Sequence, residues 1–169
     1  KIIPRSATWV GRIDAFFGSN NEVMGKDYQQ VQALVAIQNG MIQGVGPGKS
    51  QQRGVLPYSE SDFIFAILLE EYGLIGASVL ILFYLILLFR AIKIYLRTDS
   101  IFGSLIVVGL IFSIVFQALV NMLVSVSIMP VTGQTLPLIS MGGTSLVFTF
   151  LSIGIVLSVS RNSLTGNYE

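Results

Sequence analysis

Polar and apolar positions fall into two regimes along this chain. Residues 1–62 mix them, whereas residues 63–160 are apolar almost throughout, interrupted by a basic run at 90–97 and an uncharged loop at 130–142. Three apolar segments reach membrane length. The first runs from about Phe63 to Phe89, and its core YGLIGASVLILFYLILLF is 18 residues long. As a helix that core spans about 27 Å, close to the roughly 30 Å of a bilayer's hydrocarbon. The second, Ile101 to Met129, carries no charge, and the third runs from about Gly143 to Ser160. The pattern predicts an all-α integral membrane protein: a polar region 1–62, three transmembrane helices over 63–161 (about 63–89, 101–129 and 143–160), a connecting loop 130–142 and a polar tail 162–169.

Charge orients this arrangement. Arg90, Lys93, Arg97 and Arg161 fall at one end of the predicted bundle, and the excess of Lys and Arg in cytoplasmic segments assigns that end to the cytoplasm. Region 1–62 and loop 130–142 then face outward. Composition agrees with a membrane class, at 53% hydrophobic and 11% charged residues against about 25% charged in soluble domains. A net charge of +1 gives no reason to expect nucleic acid as a partner. Without cysteine or histidine, the chain holds no disulfide, thiolate metal site or His-based triad. It opens at Lys1 within a polar stretch, and the expectation is a portion of a longer protein.

Polar residues inside the apolar segments are candidates for chemistry. Ser113, Gln117, Asn121 and Ser125 recur every fourth residue and form one stripe on a helix face. Such a stripe serves either hydrogen bonding between helices or the wall of a polar cavity. Glu70 and Glu71 lie about two turns into the first segment, where an unpaired charge is costly. They either snorkel to the interface, pair with a basic residue elsewhere, or serve a site. In the polar region, YQQVQALVAIQNGMIQGV (28–45), with apolar positions at Val31, Leu34, Val35 and Ile37, suits an amphipathic helix lying at the interface or dipping into the fold. GVGPGKSQQR follows, with glycines that allow close backbone approach and cations suited to phosphate. Its spacing is not that of a P-loop. The stretch PVTGQTLPLISMGGTS (130–145) is stiff, polar and uncharged. It reads as a plain connection, a re-entrant element or one wall of a site.

Taken in order, YQQVQALVAIQNG, GVGPGKSQQR, LPYSESDFIFAILLEEYG and NMLVSVSIMPVTGQTLPLISMGGTS resemble the motifs of the SEDS family, which includes FtsW, RodA and SpoVE. The family's pattern runs Y-Q-x-x-Q, G-x-G-x-S-x-Q-K, L-P-E-x-H-T-D-F-I-F-A-x-x-x-E-E-x-G and P-x-T-G-x-x-L-P-x-x-S-x-G-G-S/T-S. The resemblance covers nearly the whole chain, and TGQTLPLISMGGTS is closer to the FtsW form. It implies the last three helices of a roughly ten-helix bundle, preceded by a large extracellular loop. It also implies a peptidoglycan glycosyltransferase of septal cell-wall synthesis in the bacterial inner membrane. The expected substrate is lipid II, a disaccharide-pentapeptide on undecaprenyl diphosphate. The expected partners are a class B penicillin-binding protein, other cell-division proteins and membrane lipid. Lipid II transport, or a non-catalytic scaffold in the division apparatus, is the alternative.

The resemblance also implies roles for particular residues. The catalytic carboxylate would be Glu22 by its spacing from Tyr28-Gln29, or Asp27 by residue type; Asp14 is a third possibility. Lys49, Ser50, Gln52 and Arg53 would bind substrate, with Arg53 standing where the family has Lys. Asp62 matches the Asp of T-D-F, although Tyr58 and Glu60 depart from the pattern beside it. Its plain role would be to cap the first helix. Gly142, Gly143, Thr144 and Ser145 would offer a helix N-terminus to a diphosphate or sugar. No resident metal site is expected, and a divalent cation (Mg or Mn) is compatible with carboxylates beside a diphosphate.

Overall fold

The computed structural model describes residues 26–54 and 61–165. Every regular element among them is helical: α1 (Lys26–Gly40), a single 3₁₀ turn (Gln52–Gly54), α2 (Ile64–Arg97), α3 (Ile101–Ser125) and α4 (Gly143–Thr165). Three stretches are long and apolar enough to cross a membrane, Ile64–Arg97, Ile101–Ser125 and Gly143–Arg161. The expected all-α membrane class therefore stands.

A short link folds α2 and α3 into an antiparallel pair. Ser100 caps α3 by accepting from the Gly103 N–H at 3.3 Å, and the Ser104 hydroxyl donates to Thr98 O at 3.1 Å. A side chain at Gly103 would come within 3.2 Å of Val159, so α4 passes close to this link. Arg161 thereby joins Arg90, Lys93 and Arg97 at one end of the bundle. Leu80, Tyr84 and Ala91 pack with Val107, Ile111 and Val156 in the core between the three helices. Their outer faces stay apolar and open, as at Leu96, Phe102 and Phe148, which suits contact with lipid or with further helices.

The helix ends depart from those read by hydropathy. Helix α2 continues to Arg97, because Arg and Lys favour helix and carry their charge outward on long stems. Helix α3 stops at Ser125 rather than Met129, since Ser127 turns the chain with a φ of 59°. Helix α4 continues past Ser160 to Thr165.

Two larger features follow from backbone contact. Helix α1 turns Ala33, Ala36 and Gly40 toward the protein and leaves Val31 and Leu34 exposed, as on a helix lying at an interface. A Cβ at Gly40 would lie 1.9 Å from Leu69 O, so only small residues permit this approach. The first membrane segment is also not one straight helix. Gly73 breaks α2 with φ 65° and ψ −162°, a conformation open to glycine and strained for other residues.

Candidate functional site

The break at Gly73 is filled by the loop that follows α1. Carbonyls left over above the break accept from that loop, Glu70 O from Val45 N at 2.9 Å and Glu71 O from Gly46 N at 3.0 Å. Below the break, Leu74 N donates to Met41 O at 3.1 Å and Ile75 N to Ile42 O at 3.4 Å. The loop thus supplies the backbone pairing that α2 loses, as membrane depth requires. Gly44 and Gly73 meet face to face: a Cβ on Gly44 would lie 2.2 Å from Glu71 O, and one on Gly73 2.4 Å from Ile42 O.

This docking carries the 46–53 turn onto Glu70, which is fully buried. Its carboxylate accepts from the Ser50 hydroxyl, from Asn39 Nδ2 at 3.4 Å, and from the N–H groups of Gln51 and Gln52 at 3.3 Å. Ser50 Oγ in turn accepts from Arg53 N at 3.1 Å. The hydroxyl proton of Ser50 is therefore directed inward and not at a ligand. Lys49 lies beside Gly46 and is exposed. Arg53 lines a cavity of about 200 Å³ with Glu71, Tyr72, Leu68 and Ile139. Leu68, Tyr72 and Ile139 also line an apolar groove of about 620 Å³ that runs along α2 to Phe83.

The 130–142 loop is re-entrant. It descends along α3, where Asn121 Nδ2 donates to Gln134 O at 2.6 Å and Gln117 Nε2 to Thr135 O at 2.9 Å. It reaches Tyr84, whose hydroxyl donates to Pro137 O. Tyr84 lies about 16 Å along the helix from Gly73. The loop then closes on itself, with Leu136 N donating to Ser140 Oγ at 2.7 Å while Ser140 donates to Ser61 O at 2.6 Å. Leu136 is fully buried, and so is Pro137. Part of the polar stripe is spent on this loop. Asn121 and Gln117 satisfy the carbonyls of a non-helical segment at membrane depth.

Asn121 also donates to Asp62 O at 2.9 Å. That tie holds the residue before α2 against Gly133, where a Cβ would meet Asp62 Oδ2 at 3.7 Å. Asp62 does not occupy the N-cap position of this helix, which is Phe63.

On the loop's other flank a cavity of about 530 Å³ opens between α3 and α4. Gln117, Ser113, Gly133, Thr135, Gly142, Thr144, Ser145, Thr149 and Ser152 supply its polar lining, and among the described residues no charged side chain lines it. From Thr144 to Ser152 this lining descends about 12 Å along α4. Thr135 Oγ1 donates to Ser145 Oγ at 2.9 Å, which pins the loop to the start of α4. Gly142 fits closely there, since a Cβ would sit 3.1 Å from the Thr135 methyl, whereas Gly143 faces open space.

The expected substrate-binding residues are therefore not gathered in one pocket. Gly142, Thr144 and Ser145 line the neutral cavity, and Arg53 lines the small cavity across the re-entrant loop. Ser50 and Gln52 hold the turn, and Asp62 stands behind Gly133. Glu22 and the side chain of Asp27, the proposed bases, lie outside the described residues; the backbone of Asp27 forms part of the first turn of α1. Among the described residues no group of three His, Cys, Asp or Glu side chains could hold a metal ion. Glu70 and Gln117 are the residues whose part in the architecture the motifs missed.

A family model described as cell cycle protein, grouping FtsW, RodA and SpoVE, matches residues 4–165. The stage V sporulation protein E of Bacillus subtilis (strain 168) is 39% identical over 155 residues, covering 91% of this chain and 42% of that protein. A probable peptidoglycan glycosyltransferase FtsW of Hydrogenovibrio crunogenus is 40% identical over 154 residues, covering 89% and 40%. A solved structure titled "Structural coordination of polymerization and crosslinking by a peptidoglycan synthase complex" superposes with a TM-score of 0.69 at 28% identity, covering 94% of this chain and 45% of that one. The chain thus spans less than half the length of these relatives.

Proposed function

Because the chain belongs to the cell cycle protein family of FtsW, RodA and SpoVE, we propose that it is part of a peptidoglycan glycosyltransferase that polymerises lipid II at the outer face of the bacterial inner membrane. One observation carries this reading: Arg53 stands at the head of an apolar groove, the two cavities sharing Leu68, Tyr72 and Ile139 as walls. A cation above a greasy channel matches an amphiphile with a diphosphate head and a polyprenyl tail. Across the re-entrant loop, the uncharged cavity of hydroxyls and amides suits sugar hydroxyls, which pair with neutral donors and acceptors.

The chemistry this serves is glycosyl transfer. The acceptor sugar's 4-hydroxyl attacks the donor's anomeric carbon, and the bond from that carbon to the diphosphate breaks. A carboxylate, Glu22 or Asp27, takes the hydroxyl proton, while Arg53 and Lys49 stabilise the charge on the departing diphosphate. A divalent cation, Mg or Mn, is compatible with carboxylates beside that diphosphate. The partner is a class B penicillin-binding protein, with the synthesis directed to the septum.

The test is lipid II polymerisation by the full-length protein with that partner, in wild type and in Glu22→Ala, Asp27→Ala and Arg53→Ala. One carboxylate variant should lose glycan synthesis while still folding and binding the partner, and Arg53→Ala should fall at least tenfold. Full activity in both carboxylate variants removes them as bases. A wild type that moves lipid II across vesicles but makes no glycan replaces polymerisation with transport.

A further inference from the structure

Glu70 is a buried carboxylate that the proposed glycosyl transfer does not use. It meets four donors: one hydroxyl, one side-chain amide and two backbone N–H groups. Such a ring of donors suits a group that only accepts, a carboxylate without its proton. An amide in its place would turn an NH₂ group toward other hydrogens. All four donors come from α1 and the turn that leads to Arg53, so the carboxylate is the point on which that turn is fixed. The last link is Ser50, whose hydroxyl donates to Glu70 and accepts from Arg53 N.

We infer that Glu70 is a positioning residue: it holds the 49–53 turn on the broken helix so that Arg53 meets the head of the lipid groove. The inference rests on the polymerase reading and adds a residue to it. Glu70 touches no substrate, because it is fully buried. Its effect is carried by the backbone of Gln51 and Gln52 and by Ser50.

The experiment uses the full-length protein with its partner in nanodiscs and reads two quantities. Steady-state polymerisation gives KM for lipid II and kcat, and hydrogen exchange reports the amides of residues 45–53 with those of 111–118 in α3 as an internal control. Glu70→Gln is expected to raise KM about tenfold with kcat within about threefold, since bonds to a charged group are the ones lost. Exchange across 45–53 should quicken about tenfold while the α3 amides keep their rates. Glu70→Asp, with an acceptor-only group on a shorter stem, should recover part of both, and Ser50→Ala should show a smaller version of the Gln effect.

Unchanged exchange at 45–53 in Glu70→Gln overturns the inference. So does faster exchange with unchanged KM, which would make the clasp structural only. Exchange that rises equally in α3 also overturns it, by showing general loosening. If the wild type makes no glycan, the polymerase reading falls and takes the positioning of Arg53 for lipid with it, while the exchange data still report whether Glu70 holds the turn.

Discussion

Two non-helical segments enter the helical bundle, and they are held by opposite means. The 41–52 loop docks on α2 through glycines at direct backbone contact and through one buried charge, Glu70. The 130–142 loop is held by neutral groups, Asn121, Gln117, Tyr84 and Ser140, each satisfying one or two carbonyls or an N–H. The first leaves almost no tolerance, because two main chains touch. The second spreads the same task over several side chains at ordinary hydrogen-bond distance. The cation-bearing turn is anchored by the charged device, and the uncharged cavity is walled by the neutral one.

The sharpest way to break this contrast is Gly73→Ala. A methyl group there would lie 2.4 Å from Ile42 O and 2.5 Å from Gly44 N, on a backbone with φ 65°. Stability should fall by at least ~3 kcal/mol, read as unfolding in SDS titrations of mixed micelles. Asn121→Leu should come next, at about 2–3 kcal/mol, because the carbonyls of Asp62 and Gln134 both lose their donor. Gln117→Leu should cost only about 1 kcal/mol, since it is half-buried and makes one bond. It also lines the neutral cavity, so its glycan synthesis should fall more than its stability. If Gln117→Leu were as damaging as Gly73→Ala, the 130–142 loop would be as unforgiving as the glycine contact.

Much of the fold was legible in the sequence for a plain reason. Membrane helices announce themselves through long apolar runs, and the grouping of Arg90, Lys93, Arg97 and Arg161 at one end follows from helix count alone. The break in α2 was not legible, because Gly73 sits in an apolar run and glycine is tolerated in membrane helices. Only the loop from α1, some thirty residues earlier, distinguishes this glycine from Gly76. The stripe on α3 was visible, yet its partners are backbone carbonyls, which every sequence has and none displays. For Glu70 the pattern gave a carboxylate at membrane depth and left its partners open, since two of its four donors are main-chain N–H groups. Which face of α1 meets the protein was left open by the pattern, because size decides it where Gly40 meets Leu69.

The break at Gly73 also bears on how the protein is assembled. In hydrocarbon an unsatisfied peptide group costs several kcal/mol, so α2 cannot stay open at Gly73 while loop 41–46 is absent. Until that loop arrives, the stable form of α2 is an unbroken helix. The loop's arrival and the bend in α2 are one cooperative event, and the loop is made before the helix it opens. The bend at Gly73 and the seating of loop 41–46 are therefore linked, and neither is expected without the other.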